Sequence, residues 1–419
     1  MGGTTAKASL IEKGTVKTTS EYEVGGGSNA RRWMQGTGHP IRVPVIDLAE
    51  VSAGGGSIAW IDPGGLLKVG PRSAGAAPGP ACYGHGGTDP TVTDANLILG
   101  RLGEAAPLGG SVRLDLAAAE KAITRVIADP LGMSLEQAAW SIIRVVNASM
   151  ARAVRVVSVE AGFDPREFAL VAFGGAGPLH ACELARDLGC RFVLVPPEPG
   201  LVCAQGLLSA DGVIDRSLTR LMGLSEAAAG TVNEALRALQ DMLDREGLIA
   251  QFGGGQVEHA VDLRYRGQSY ELTLPLPVVP LGSHALERLH AEFEREHERV
   301  HGYAFPSADL ELVAFRARVR LPLALPAGHP PAGPAGPPAR PHAHRRVFSG
   351  EEAGLQRVPI SARTALGPGA TFVGPAIVEQ MDSTTYIPPG FQAGVGRGGA
   401  LRIEFGSGAA PRPTSAEGR

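Results

Sequence analysis

The stretch FALVAFGGAGPLHACELARDLGCRFVLV, residues 168–195, decides the fold class. Phe168-Ala169-Leu170-Val171-Ala172-Phe173 is a short apolar run and reads as a buried strand. Gly174-Gly175-Ala176-Gly177 turns the chain. Pro178 then stands at a first helical position, where its missing N–H costs nothing. A helix to Leu188 follows, and Arg191-Phe192-Val193-Leu194-Val195 is the next strand. Strand, glycine turn, helix and strand within about 30 residues make a parallel βαβ unit, so the chain is α/β.

Upstream, residues 115–163 carry a helical period. Ser134 and Gln137 have capping-box spacing, and Leu135, Ala139, Ile142, Val146, Ser149, Ala153 and Val157 recur at steps of three and four. This predicts a long, largely buried helix. Residues 1–112 read as strands and loops, with a hairpin turning at Glu12-Lys13-Gly14-Thr15. Glycines at 54–56, 64–65, 70, 75, 79, 84 and 86–87 suggest backbone that must come close to something. The opening, Met1-Gly2-Gly3-Thr4-Thr5, enters a tight turn and a strand with no lead-in. Either the true start lies upstream, or a separate chain supplies the preceding strand.

Downstream, a helix is expected over Thr231–Leu248, two strands over Val257–Leu274 joined near Arg266-Gly267-Gln268, and a charged helix over Leu286–His301. Residues 326–344, rich in Pro, Ala, Gly and His, read as a linker or loop. Residues 345–405, with turns at Gly367-Pro368-Gly369 and Pro388-Pro389-Gly390, read as a separate small β module. The tail 406–419 reads as disordered.

With 419 residues, 44% of them apolar and 19% charged, the chain is rich enough in apolar groups for two or three packed domains and is no disordered chain. A net charge of -3 leaves no basic excess for neutralising phosphates, which argues against a nucleic-acid binder. No secretory signal or membrane-length apolar run is present, so a cytoplasmic protein with no membrane partner is expected. The four cysteines, Cys82, Cys182, Cys190 and Cys203, form no CxxC pair and read as free thiols.

Two glycine turns are the best chemical candidates. Gly2-Gly3-Thr4-Thr5 presents backbone N–H groups to an anion, and its hydroxyls add donors or help hold a metal-bound water. Gly174–Gly177 feeds a helix N-terminus, whose free N–H groups and dipole favour phosphate. Such patterns are common, so either turn alone also reads as a plain structural turn. His85 and His180 read as structural. His297 and His301 have the spacing of a helical metal pair, but Glu294, Glu296 and Glu298 favour a solvated charged face. His342 and His344 fall in the loop and bind nothing. Asp47, Asp62, Asp89 and Asp94 are carboxylates that spacing alone does not select for a metal. No Ser-His-Asp order or nucleophile elbow stands out.

Several stretches taken together carry a family signature: Met1–Lys7, Ala53–Trp60, Gly70–Gly75, Pro78–Gly84, Pro90–Asn96, Ala172–His180, Arg264–Leu272 and Gly374–Gln380. The chain resembles the hydantoinase A / 5-oxoprolinase family from Met1 to about Phe405. The resemblance implies an actin-like ATPase fold, in which two ribonuclease H-like lobes close on ATP and Mg2+. It puts Gly2, Gly3, Thr4 and Thr5 at the second phosphate loop, and Gly174, Gly175, Ala176 and Gly177 at the adenosine-side loop. It implies residues 1–218 as the C-terminal part of the ATPase-like domain, 219–325 as an α+β region, and 345–405 as a β-rich module away from ATP. The implied activity is ATP-dependent opening of a cyclic amide, such as a hydantoin or 5-oxoproline, by phosphorylation of its carbonyl oxygen. The implied partner is a hydantoinase B-type subunit. Family members carry a first lobe upstream, and an Asp before Met-Gly-Gly. Met1 here leads to the expectation of a fragment, a mis-called start or a split protein whose N-terminal lobe is separately encoded, slow or inactive alone. The resemblance assigns no catalytic residue and no protein metal ligand. An acetone- or acetophenone-carboxylase-type subunit is the alternative within the fold, and a non-catalytic assembly subunit is the alternative from another functional class.

Overall fold

A computed structural model describes residues 1–19, 22–24, 39–41, 45–105, 108–224, 229–245, 247, 250, 256–276, 280–282, 284–321 and 340–406. Expectations for the linker over 326–339, for the tail over 407–419 and for helix at Leu248 fall outside those residues. The chain divides into two compact units, Met1–Ala204 with His329–Arg419, and Gln205–Gly328.

In the first unit the βαβ segment forms as its pattern predicts. Strand Leu170–Val171 pairs parallel to strand Val193–Val195, with Leu170 opposite Val193. Helix Gly177–Leu188 lies between them in sequence and ends at Gly189, in the left-handed conformation (φ 73°). The first strand is shorter than its apolar run suggested, and Val171 is exposed. The reason is its place at the end of the sheet order, where among the described residues only one side of the strand has a neighbour.

The rest of that sheet comes from the far end of the chain. Val193–Val195 pairs antiparallel with Leu401–Phe405, which pairs with Phe391–Val395, which pairs with Thr371–Val373. Val193, Val195, Leu401 and Ile403 are buried in one core with Ile123, Ile142, Ile143 and Val146. Residues 345–405 are therefore β-rich but not a separate module. A central strand needs hydrogen bonds on both edges, and only this segment supplies the second edge of Val193–Val195. A second sheet, ordered Ala343–Phe348, Leu355–Ala362, Ala376–Glu379 and Thr384–Ile387, completes the unit. His344 belongs to its first strand rather than to a loop.

The long helix spans Leu135–Val157. Ser134 Oγ accepts from Gln137 N (3.2 Å), and Gln137 Oε1 accepts from Ser134 N (3.0 Å), completing the capping box. Ala139, Ile142, Val146, Ala153 and Val157 are buried along its predicted face. The hairpin pairs Ile11 with Val16 and Glu12 with Thr15. Lys13 and Gly14, both at positive φ (49° and 80°), form its two-residue turn.

The second unit is an antiparallel sheet ordered Gly212–Gly223, Leu310–Leu321, Gln256–Tyr265 and Leu272–Leu276. Helices Ala229–Arg245 and Ala285–His301 cover one face, where Leu236, Leu239 and Phe293 pack on Val261, Leu263 and Phe315. The period of two sends the alternate residues to the other face. There Arg316 pairs with Asp262 (2.6 Å), Arg318 with Asp215 (3.0 Å) and Arg320 with Glu258 (2.7 Å). His297 does not lie on the solvated face of its helix. It is fully buried, with Nδ1 at 2.8 Å from the Tyr303 carbonyl and Nε2 at 3.1 Å from the Gln268 amide nitrogen. Among the described residues no helix is long and apolar enough to cross a membrane.

Candidate functional site

The two glycine turns singled out in the sequence lie side by side. The Met1 carbonyl accepts from Ala176 N (3.2 Å), and the Met1 amine donates to the Phe173 carbonyl (3.0 Å). A third glycine segment backs them: Gly55 N donates to Gly2 O (3.0 Å) and Gly56 N to Gly3 O (2.6 Å). Side chains are excluded here by contact. A Cβ on Gly54 would collide with the Gly3–Thr4 backbone, and one on Gly174, at φ 82°, with the Met1 backbone. Those are the close approaches that the glycine-rich sequence implied.

Gly2, Gly3, Gly175 and Ala176 line a cavity of about 290 Å³, near the lower end of small-molecule sites. Thr4, Thr5, Gly174 and Gly177 do not line it. The Thr4 hydroxyl instead sits 3.3 Å from that of Ser73, and Gly174 and Gly177 lie against Met1. Tyr83, Thr93 and Asn96 form another wall.

A further wall, Glu379–Thr384, comes from the segment expected to lie apart. Gln380 Nε2 donates to the Pro197 carbonyl (3.0 Å) and to Asp382 Oδ1 (2.6 Å). Gly200 N donates to Asp382 Oδ2 (2.7 Å), and the Ser383 hydroxyl donates to the Gly175 carbonyl (3.2 Å). The wall is thus tied to the glycine turn it faces. Sequence reasoning missed Asp382 and Ser383, although the Gly374–Gln380 signature runs up to their edge.

Two buried polar networks hold these walls. Asp94 caps helix Val92–Ile98 and also accepts from Cys82 N (2.8 Å), Ala81 N (3.3 Å) and the Thr91 hydroxyl (2.7 Å). It binds the Pro78–Gly84 signature to the Pro90–Asn96 one. Burial and the Asp94 charge push the Cys82 thiol far up, which suits an inert core cysteine. In the second network Arg101 Nη2 pairs with Glu183 Oε1 (2.6 Å), and Asn147 Nδ2 donates to Glu183 Oε2 (2.7 Å). That orients the Asn147 amide, so its Oδ1 accepts from His180 Nδ1–H at 2.8 Å. Burial, with the nearby Arg101 charge, pushes His180 down to about 3, so the ring is neutral. The Arg101 guanidinium lies 4.5 Å over the Tyr386 ring.

The four acidic candidates do not converge. Asp94 is a buried cap, Asp62 closes a turn onto Gly64 N and Leu66 N, and Asp89 is exposed. Among the described residues no three His, Cys, Asp or Glu side chains come together for a metal ion.

Residues 1–216 match the hydantoinase/oxoprolinase family, and residues 223–397 match the hydantoinase/oxoprolinase C-terminal domain. The chain belongs to the hydantoinase/oxoprolinase family. It is 45% identical over 406 residues to an uncharacterized protein of Methanocaldococcus jannaschii, covering 96% of this chain and 58% of that protein. It is 37% identical over 374 residues to the caprolactamase subunit alpha of Pseudomonas jessenii, covering 88% of this chain and 54% of the relative. The crystal structure of the ATP-dependent caprolactamase from that organism superimposes with a TM-score of 0.85 at 34% identity, over 97% of this chain and 58% of the other. The chain thus spans a little over half the length of the curated relatives it matches. This hydantoinase/oxoprolinase chain shares their mixed α/β fold.

Proposed function

We propose that this chain carries the nucleotide side of an ATP-dependent cyclic-amide hydrolase. The observation that supports the reading is the convergence of Gly2-Gly3 and Gly175-Ala176 on one cavity, each beside a chain turn that leaves its backbone approachable. A Cβ built on Gly2 or Gly3 meets nothing within 4 Å, so the strip of backbone facing the cavity is open to an incoming phosphate. The start of helix Gly177–Leu188 adds its dipole behind Gly175 and Ala176. In this reading the arrangement is actin-like, with a phosphate loop at 2–5 and an adenosine-side loop at 174–177; the support comes from Gly2, Gly3, Gly175 and Ala176, the members of those loops that line the cavity.

The lactam carbonyl oxygen attacks the γ-phosphorus and ADP leaves with the bond electrons. The O-phosphorylated carbon then accepts water, the ring C–N bond breaks with nitrogen taking a proton, and phosphate is released by a second water. Charge builds on phosphate oxygens, and the backbone N–H groups of Gly3 and Gly175 are the ones placed to stabilise it, since those of Gly2 and Ala176 are given to the Thr5 and Met1 carbonyls. Magnesium would travel on the triphosphate. Among the described residues no acidic triad converges, which suits an ion that keeps most of its waters and leans on substrate phosphates. The chain acts with partner subunits, a B-type one among them; in support, the caprolactamase relative is named as a subunit.

The test is phosphate release with magnesium, ATP and caprolactam, hydantoin or 5-oxoproline. The chain is assayed alone and with the upstream half of a relative plus its partner subunit. Turnover that needs both the added polypeptides and a cyclic amide is expected, because positioning supplies much of the rate. Turnover that instead needs bicarbonate and a ketone assigns the carboxylase alternative. Absence of nucleotide binding overturns the reading.

A further inference from the structure

Anionic side chains stand on the cavity wall and cationic ones do not. Glu379 and Asp382 line it, and among the described residues no lysine, arginine or histidine does. Arg345 stands behind Gly103, where a Cβ would collide with its guanidinium. That guanidinium is given to Glu379, with Nη2 2.7 Å from Oε1, and to the Gly100 carbonyl, 3.4 Å from Nη1. The Arg345–Glu379 pair is neutral as a whole and leaves Asp382 as the uncompensated charge. Asp382 takes its hydrogen bonds from Gly200 N and Gln380 Nε2, which are both uncharged donors.

The rest of the wall is apolar or neutral. Leu102 and Leu179 are buried, Leu108 is half-buried, and Met381 is 74% exposed. The Tyr83 and Thr384 hydroxyls and the Asn96 amide are polar without charge. Such a surface suits an apolar ring that carries a carbonyl. A carboxylate there would exchange water for neutral donors beside Asp382, and a desolvated charge without a counter-ion is costly. A triphosphate arrives with magnesium to offset its charge, whereas a ring carboxylate brings no counter-ion.

Resting on the nucleotide reading above, we propose that this cavity takes an uncharged, methylene-rich lactam against Leu102, Leu108, Leu179 and Met381, and that Asp382 selects against lactams bearing a carboxylate. Caprolactam belongs to the first class and 5-oxoproline to the second. The ring lies in this cavity because its carbonyl oxygen has to reach the phosphate held by Gly3 and Gly175, and those glycines line it.

The experiment is calorimetric titration of the full chain, first with the magnesium salt of the β,γ-imido analogue of ATP. The loaded chain is then titrated with caprolactam, 5-oxoproline and the carboxamide of 5-oxoproline. The last two differ only in the charge of one group. Caprolactam and the carboxamide are expected to bind, with 5-oxoproline about tenfold weaker than its carboxamide. Met381→Lys puts an ammonium group on the wall, and Asp382→Asn removes the negative charge. Each is expected to close most of the gap between 5-oxoproline and its carboxamide. A merely structural disturbance would weaken both ligands alike and leave their ratio unchanged, and that result in both variants overturns the proposal. So does wild type binding 5-oxoproline as tightly as its carboxamide, or binding no lactam once loaded. Either of these, with the ATP analogue bound, leaves the nucleotide reading standing. No binding of the ATP analogue removes that reading itself.

Discussion

His180 shows how little of a residue's role its identity reveals. Its place after a glycine turn reads as structural, and it is: the ring is sealed from water and held by Asn147, 33 residues earlier. Arg101, whose guanidinium shares that network through Glu183, lies still further from it in the chain. The consequence is a pH dependence. The unfolded ring binds a proton below about 6.5, while the folded ring resists until about 3. Between these values the unfolded state holds more protons, so stability falls as pH falls through that window. Between pH 7.5 and 5 wild type should lose about 2 kcal/mol more than His180→Gln does, as read from urea unfolding at the two pH values. Equal losses would show that the ring titrates in the fold.

Helix starts are the elements most legible in sequence, because their chemistry is local. Ser134 with Gln137 was readable from spacing, and both reciprocal hydrogen bonds form. Asp94 sits at the same position of a second capping box, opened by Thr91, but it also takes two N–H groups from a loop that precedes it in the chain. Spacing shows the cap and not the loop. The two sites should therefore differ in cost. Ser134→Ala removes an exposed cap and is expected to cost about 1 kcal/mol. Asp94→Ala strands several buried N–H groups and should cost at least about 3 kcal/mol. Urea unfolding of both variants checks this, and similar losses would contradict the account of Asp94 as a joint between two segments. The βαβ element was equally legible, while the short exposed strand Leu170–Val171 was not. An apolar run shows that a strand forms but not whether it lies at the centre or the edge of a sheet.

On the scale of the molecule, the first unit is discontinuous in sequence. Removing residues 343–419 should leave Val193–Val195 without its antiparallel partner and uncover a core that includes Val193, Val195 and Ala185. That product is expected to lose near-ultraviolet circular dichroism and to expose apolar surface to a dye. Residues 212–321 keep their own sheet, two helices and buried core, so expressed alone they should unfold cooperatively. A folded 1–342 product would contradict the shared sheet.

The sequence by itself determined the helical periods, the Ser134–Gln137 cap, the Lys13-Gly14 and Gly174–Gly177 turns, the βαβ handover and the family. These follow from interactions within a few residues, where residue type sets backbone preference directly. It also named two turns as candidate sites, which only the family resemblance set on one nucleotide. Only the tertiary structure decided that Gly2-Gly3 and Gly175-Ala176 share a cavity, that Glu379–Thr384 walls it, and that His297 is buried rather than solvated. The physical reason is that backbone N–H and C=O groups are the same in every strand. A strand's own pattern shows which face is buried, while its partner is chosen by burial and hydrogen bonding summed over the whole fold.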